Sequence, residues 1–248
     1  MDHHGIELPH NPEMALWRYM DLSKFVALLQ SGALYFARAD MLGDDFEGSL
    51  PVANAKTYRD LVGEQLGRSG VGDEGLANIN LADVEMRRKM REEMFVSCWH
   101  GNEYESAAMW RLYAQSGDAV AIKTTFAKLT EVLPDGVILG NVRYVDYARH
   151  TVPVDSLIAP FMIKRTSFAH ENEVRAAFWF ALRELIPESI TFKGAGALCP
   201  VDLHKLIEAI HVSPTSPPWF LEIVTGLADQ YGLAVKPSQS ALSASALF

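Results

Sequence analysis

Cysteine is scarce in this chain, and long apolar runs are missing. Two cysteines among 248 residues, Cys98 and Cys199, are too few for a disulfide framework or a thiolate zinc site. We expect both to be reduced, buried thiols. No run of about 18 apolar residues occurs, so no transmembrane helix is expected. Residues 1–19 lack the basic-then-apolar order of a signal peptide. We therefore expect a cytoplasmic protein with no membrane partner.

The motifs of several common enzyme classes are also missing. The sequence contains no G-x-x-x-x-G-K-[ST], H-E-x-x-H or G-x-S-x-G. This counts against phosphate-loop nucleotide hydrolysis, zincin proteolysis and α/β-hydrolase chemistry. The formal net charge is −9, which disfavours broad nucleic-acid binding through Lys and Arg. A local basic pocket for a small phosphate ligand is still compatible with that charge.

The composition is typical of a globular protein that buries a sizeable core. Hydrophobic residues make up 49% of the chain and charged residues 21%. Neither internal repeats nor a second domain boundary can be recognised. We expect a single domain over 1–248 of mixed α/β (α+β) class, with its core at about 14–238. Residues 1–13 are expected to form a flexible leader and residues 239–248 a frayed tail.

Hydrophobic spacing and capping signals predict the order of the elements. The chain is expected to open with a strand at Leu16–Met20, a helix from Asp21 or Ser23 to Gly32, and a strand at Ala33–Ala37. Further strands are predicted at Met94–Trp99, Ala119–Lys123 and Val137–Val145. Helices are predicted at 76–93, from Ser106 to Gly117, from Thr125 to Leu133 and from Ser216 to Tyr231, with a Gly-rich mobile insertion at 63–75. The apolar residues of Glu171–Phe180 fit both the strand period and the helix period. A strand that runs into a helix is the favoured interpretation.

Arg18 is a candidate ligand-binding residue because of its strand position. In a strand it points the same way as Leu16 and Met20, and an unpaired buried charge there would be very costly. One interpretation is a structural ion pair. The other is an anion or phosphate contact, which suits the flat, forked guanidinium.

Residues 95–101, FVSCWHG, place a hydroxyl, a thiol, an indole and an imidazole at a predicted strand end. Trp99, Trp110 and Tyr113 could form a stacking wall for a planar ring. The alternative is that these aromatic rings only pack in the core.

Glu171 and Glu173 form a second candidate cluster. In a strand they share one face with Arg175, at a separation of about 7 Å. Like charges raise the pKa of one carboxylate, whereas Lys164, Arg165 and Arg175 would lower it. Such a pair can orient a sugar hydroxyl or stabilise positive charge at an anomeric carbon. A surface ladder of Glu and Arg is the alternative.

The acidic loop at 40–48 offers a third cluster, Asp44, Asp45 and Glu47. Hard cations bind several oxygen ligands, but the spacing misses the calcium-loop pattern. A solvated loop is the favoured interpretation. A metal-dependent nuclease using this loop and the later Glu pair is an open alternative.

Several segments resemble a bacterial family. They are LWRYM, LLQSGALYFARADMLGDDFEG, FVSCW, AAMWRLY with AVAIK, KRTSFAHENEVR and LIEAIHVSP, in that order across residues 16–238. Together they resemble domain-of-unknown-function family 2971. That resemblance implies no activity.

A more distant resemblance is to ADP-ribosyltransferases. It rests on the opening strand, helix and strand with an Arg in the first strand, a later Ser-containing strand, an aromatic-rich helix and Glu-x-Glu. The matching positions are Arg18, Ser97 and Glu173, with Glu171 as the first Glu. The resemblance implies a central mixed or antiparallel sheet flanked by helices, with NAD as substrate and no metal. ADP-ribose would pass to a protein, a nucleic acid or water.

The same resemblance implies roles for individual residues. Glu173, Glu171 and Arg18 would be catalytic, and the NAD-binding residues would be Arg18, Tyr19, Ser97, Trp99, Trp110 and Tyr113. Ser97-Cys98-Trp99 stands where the family has Ser-Thr-Ser. A bacterial toxin or phage-defence effector with a cognate antitoxin or inhibitor is the expected context. A nucleotide-binding module without turnover and a purely structural or partner-binding protein are the alternatives.

Overall fold

The computed structural model describes residues 6–54, 64, 85–113, 118–153 and 156–245. The predicted Gly-rich insertion other than residue 64, residues 76–84 of the predicted helix at 76–93, and Gly117 lie outside these residues. The strands are β1 (Ala15–Asp21), β2 (Ala33–Arg38), β3 (Met94–Gly101), β4 (Ala119–Thr125), β5 (Ile138–Asn141), β6 (Arg143–Val145), β7 (Ile163–Arg165), β8 (Glu173–Trp179), β9 (Thr191–Lys193), β10 (Gly196–Pro200), β11 (Ala209–Val212) and β12 (Ser238–Gln239).

Helices connect and flank these strands. The α-helical segments are Leu22–Ser31, residues 52–54 and 85–93, Ala107–Tyr113, Phe126–Val132, Leu203–Leu206 and Pro218–Gln230. Short 3-10 helices occupy Ala39–Met41, Ala159–Phe161, Thr166–Glu171, Phe180–Leu185 and Ala241–Ser243. The chain therefore has the mixed α/β class that the sequence predicts.

One large mixed sheet organises the described residues. Its order is β12-β11-β4-β1-β3-β2-β10-β9, and β8 joins β3 to β5. The pairings are antiparallel except between β11 and β12. The short strands β6 and β7 form a separate parallel pair. As a result, β3 carries β8 on one edge and both β1 and β2 on the other.

Alternation along β1 divides the core between the two faces of the sheet. Leu16 and Met20 are buried in the main hydrophobic cluster with residues of three helices, Leu22–Ser31, Phe126–Val132 and Pro218–Gln230. Trp17 and Tyr19 point to the other face and pack against Met109 and Trp110. Helices therefore cover both faces, and each face buries its own apolar residues.

The predicted helix boundaries next to β1 are confirmed. The Asp21 carboxylate accepts a hydrogen bond from the backbone N–H of Lys24 at 2.8 Å, which caps the helix. Gly32 ends the helix with φ of 57°, a left-handed conformation that glycine adopts without a Cβ penalty. Thr125 caps the helix Phe126–Val132 in the same way, by accepting from Lys128 N.

The predicted strand Val137–Val145 is wrong as one element. β5 pairs with β8 in the large sheet, whereas β6 pairs with β7 in the small one. The change occurs at Val142, whose N–H donates to Glu173 O at 2.9 Å, and the next N–H, of Arg143, donates to Met162 O. Two different partners in space therefore split one apolar run.

Both described chain ends contact the sheet more closely than their composition predicts. Ile6 is buried, and Asn141 N donates to Glu7 O at 2.7 Å. Near the other end, β12 pairs with β11 and Ser240 is buried. Backbone hydrogen bonds therefore join Glu7 and residues 238–240 to the sheet.

Candidate functional site

A gap in the large sheet creates a cavity. β3 pairs with β1 only through His100 and Gly101, and with β2 only through Phe95 and Val96. Among the described strands, none pairs with residues 97–99 on this edge. β1 and β2 therefore diverge, and a cavity of about 840 Å³ lies between them. This volume is within the range of small-molecule sites, roughly 300–1,000 Å³.

Six of the predicted site residues line this cavity. They are Arg18, Tyr19, Trp99, Tyr113, Glu171 and Glu173. The other walls come from β2, from the helix Leu22–Ser31 and from Lys164. Ser97 and Trp110 are not among the lining residues. Segments that are far apart in the sequence thus meet in one hollow.

Arg18 reaches this cavity from β1 as a cation. Its Nη2 donates to the backbone carbonyl of Tyr35 at 2.8 Å, and its guanidinium lies 5.6 Å from the Trp99 ring centre. Among the described residues, no carboxylate lies within ion-pair distance of it. Burial lowers the pKa of Arg18, yet a guanidinium stays protonated in proteins. The structural ion pair considered from the sequence is therefore not observed.

Glu173 begins β8 and is tightly held by two cations. Its Oε1 lies 2.6 Å from Arg175 Nε, and its Oε2 lies 2.9 Å from Lys164 Nζ. Arg175 is fully buried and also pairs with buried Glu47. Burial alone would raise the pKa of Glu173, but the charges of Arg175 and Lys164 outweigh it and lower that pKa to about 2. Glu173 is therefore ionised at neutral pH.

Glu171 is not on the strand face with Glu173, so that part of the sequence prediction is wrong. It ends the 3-10 helix Thr166–Glu171, and the next residue, Asn172, has φ of 38°. This left-handed residue separates the helix from β8. Glu171 is half-buried, and its Oε2 lies 2.5 Å from Lys164 Nζ. Lys164 consequently bridges both carboxylates, although they sit on different elements.

The end of β3 fixes this turn. His100 Nδ1 lies 2.5 Å from the Glu171 backbone oxygen, and Gly101 N donates to Asn172 O at 2.8 Å. The Asn172 amide donates in return to Gly101 O. Three hydrogen bonds therefore tie the Glu171–Asn172 turn to β3, beside the cavity.

The aromatic wall is partly as predicted. Tyr19 and Tyr113 stack with ring centres 6.3 Å apart, and Tyr113 is 43% exposed. Trp99 is buried, and its Nε1 has no hydrogen-bond partner among the described residues. Trp110 is buried behind Tyr19, edge to face at 4.9 Å, and its Nε1 donates to Glu105. Trp110 therefore supports the wall and does not face the cavity.

Ser97 is buried in β3 away from the cavity lining. Its hydroxyl has no hydrogen-bond partner among the described residues. The next residue, Cys98, lines the cavity in its place. Burial and the neighbouring charge of Glu173 raise the pKa of Cys98, so its thiol stays protonated at neutral pH.

Two carboxylates of the acidic loop, Asp44 and Glu47, form ion pairs with arginines. Asp44 Oδ1 lies 2.9 Å from Arg165 Nη2, and Glu47 pairs with Arg175. Within the described ranges, no group of three His, Cys, Asp or Glu side chains is arranged to hold a metal ion. Asp44 and Glu47 thus already have protein cations as partners.

Sequence reasoning missed two residues that complete the site, His100 and Lys164. In the sequence, Lys164 is only a charge near the Glu pair, and His100 is only one imidazole in FVSCWHG. No local pattern marks either residue, because their contacts come from segments about 70 and 10 residues away.

None of the helices in the described part of the chain has the length and apolar character that spanning a membrane requires.

Comparisons of the sequence and the structure with known proteins identify no family and a weak structural likeness. No protein-family model matches the chain, so the resemblance to family 2971 stays a prediction, and no curated protein matches it. Among solved structures it is similar to DarT of Thermus sp. 2.9 in complex with ADP-ribosylated single-stranded DNA. The identity is 9%, the match covers 94% of this chain and 95% of that one, and the TM-score is 0.40. A likeness this weak assigns neither fold nor activity.

Proposed function

We propose that this protein binds NAD in the cavity and transfers its ADP-ribose group, or hydrolyses NAD at the same bond. The observation that carries the proposal is that one cavity is lined both by an arginine without a carboxylate partner in the described part of the chain and by two carboxylates. Arg18, without a carboxylate partner among the described residues, lines the same cavity as Glu171 and Glu173. NAD has a matching polarity, with an anionic pyrophosphate and a cationic nicotinamide ring.

Arg18 is the proposed pyrophosphate contact. One of its five N–H donors is used by Tyr35 O, which leaves the rest of the fork for phosphate oxygens. The guanidinium geometry suits such bidentate contacts. Trp99 beneath it and Tyr113 at the mouth supply flat surfaces for the rings of the ligand.

Glu173 is the proposed catalytic carboxylate. When the bond between the anomeric carbon and nicotinamide breaks, its electron pair leaves with neutral nicotinamide and positive charge develops on the ribose. A fixed, ionised carboxylate stabilises that charge. Arg175 and Lys164 keep Glu173 ionised and in one orientation. Glu171 is more exposed and is the proposed contact for the incoming acceptor.

A nucleotide-binding module without turnover is the second candidate. The observation that favours it is that both oxygens of Glu173 already pair with cations, so the carboxylate has few contacts left to offer. In that case Arg18 and the aromatic wall would hold the nucleotide, and Glu173 would only stabilise the fold.

Incubation with NAD separates these candidates. The purified chain is mixed with NAD labelled in the adenylate, alone or with protein, single-stranded DNA or RNA, and free nicotinamide and transferred label are measured. Release of nicotinamide supports the enzyme, and the labelled species identifies the acceptor. Binding without release supports the module. Activity on nucleic acid that a chelator abolishes would support the nuclease instead.

Glu173→Gln is the critical variant because it is nearly isosteric. We expect turnover to fall at least about 100-fold, the loss typical of removing one electrostatic contact to a transition state. The NAD-induced rise in melting temperature should remain. Glu188→Gln, at an exposed position, is the matched control. Wild-type turnover in Glu173→Gln would remove Glu173 from the catalytic role.

A further inference from the structure

His100 uses one ring nitrogen for a contact within the protein and leaves the other without a partner among the described residues. Nδ1 lies 2.5 Å from the Glu171 backbone oxygen, which can only accept a hydrogen bond. Nδ1 must therefore carry the proton, and in the neutral ring Nε2 is left with a lone pair. Burial lowers the pKa of His100, which favours this neutral ring at neutral pH.

Among the described residues, none donates a hydrogen bond to Nε2. The residue is 5% exposed, and this nitrogen is buried without a hydrogen-bond partner among the described residues. Buried polar atoms are nearly always satisfied, so an unpaired acceptor in a residue that lines a cavity is a candidate contact for a ligand. His100 lines the cavity, with the Tyr19 ring 6.2 Å away and edge-on to the imidazole. A ligand in the cavity is the available source of that donor.

From these contacts we propose that His100 Nε2 accepts a hydrogen bond from a hydroxyl or amide N–H of the bound nucleotide. The inference rests on the proposed function, because it takes NAD as the ligand. A ribose hydroxyl and the nicotinamide carboxamide are the two sources of such a donor. The contact places that group beside Glu171, whose backbone the same imidazole holds in position.

The two amide substitutions separate the roles of the two nitrogens. An asparagine at position 100 places its amide nitrogen near the position of Nδ1, so it can still donate to Glu171 O, but it has nothing at Nε2. A glutamine places its amide near Nε2, where its oxygen can accept, but it gives up the bond to Glu171 O. The pair therefore distinguishes a ligand contact from a purely structural histidine.

The test is calorimetric titration of wild type, His100→Asn and His100→Gln with NAD and with ADP-ribose, alongside thermal melting of each protein. We expect His100→Asn to melt close to wild type but to bind about tenfold more weakly, the effect of about one lost hydrogen bond. His100→Gln should melt lower and bind closer to wild type. Weakening toward both ligands identifies a ribose hydroxyl, and weakening toward NAD alone identifies the carboxamide.

Two results overturn the inference. If His100→Asn binds both ligands with wild-type affinity, Nε2 makes no ligand contact, while the proposed function stands. If the wild-type chain binds neither NAD nor ADP-ribose, the proposed function fails and this inference fails with it. Should His100→Asn fail to fold, wild-type affinity in a folded His100→Ala variant would equally overturn it, and weakened binding there would support it.

Discussion

Glu173→Gln should destabilise the protein by an amount that depends on pH. The carboxylate has a pKa of about 2 in the folded protein, whereas the ordinary pKa of a glutamate is 4.5. At about 1.4 kcal/mol per pKa unit, ionised Glu173 contributes about 3 kcal/mol to the free energy of unfolding at neutral pH. Glutamine lacks the charge that Arg175 and Lys164 attract. We therefore expect the variant to lose about 3 kcal/mol at pH 7.

The sign of the pH dependence follows from the lowered pKa. The stabilisation is fully present above pH 4.5 and is lost as the pH falls from there through 2. At pH 3 about 1.5 kcal/mol should remain. The difference in unfolding free energy between wild type and Glu173→Gln should therefore narrow from about 3 to about 1.5 kcal/mol.

Urea titration at pH 7 and at pH 3 measures this difference. With a slope of about 3 kcal/mol per molar urea, the midpoint should fall by about 1 M at pH 7 and by about half as much at pH 3. Glu188→Gln, an exposed carboxylate, should change the free energy of unfolding by less than about 0.5 kcal/mol. Equal midpoint differences at both pH values would refute the view that ion pairing of Glu173 is the cause.

Two further predictions concern neighbouring parts of the site. Arg18→Gln should abolish most of the NAD-induced rise in melting temperature while the unliganded protein melts within a few degrees of wild type, because no carboxylate among the described residues pairs with Arg18. An undiminished NAD-induced rise would exclude Arg18 as the anion contact. Glu105→Gln should lower stability by about 1–2 kcal/mol and speed amide hydrogen exchange in residues 238–243, since Glu105 accepts from Ala241 N at 2.9 Å, from Ser240 and from Trp110. Unchanged exchange there would show that these bonds do not hold the tail.

Features set by neighbouring residues could be predicted from the sequence. Asp21 followed by an apolar-periodic segment and Gly32 mark a helix because capping involves residues only a few positions apart. The place of Arg18 beside Leu16 and Met20 follows from the two-residue period of a strand. The fold class and most element positions follow from such local patterns.

Features that depend on contacts between distant segments of the chain could not be predicted from the sequence. The break at Val142 exists because β8 and β7 each take one half of an apolar run. The 3-10 turn before Glu173 depends on His100 and Gly101, which lie about 70 residues earlier in the chain. The sequence therefore predicts the carboxylates and Arg18 as site residues, but not Lys164, which pairs with both carboxylates, or His100, which binds the Glu171 backbone.

The divergence of β1 and β2 along β3 has a consequence for how the protein can vary. In an intact sheet, consecutive residues of one strand face opposite compartments, and only every second position can touch a given ligand. Here Trp17 to Met20 all line the cavity, and so do Cys98 to His100, because the hollow passes between the strands and is reached from both sides. Substitutions at both odd-numbered and even-numbered positions of these strand segments therefore change contacts with the same ligand. This doubles the number of positions at which a substitution can change the binding preference.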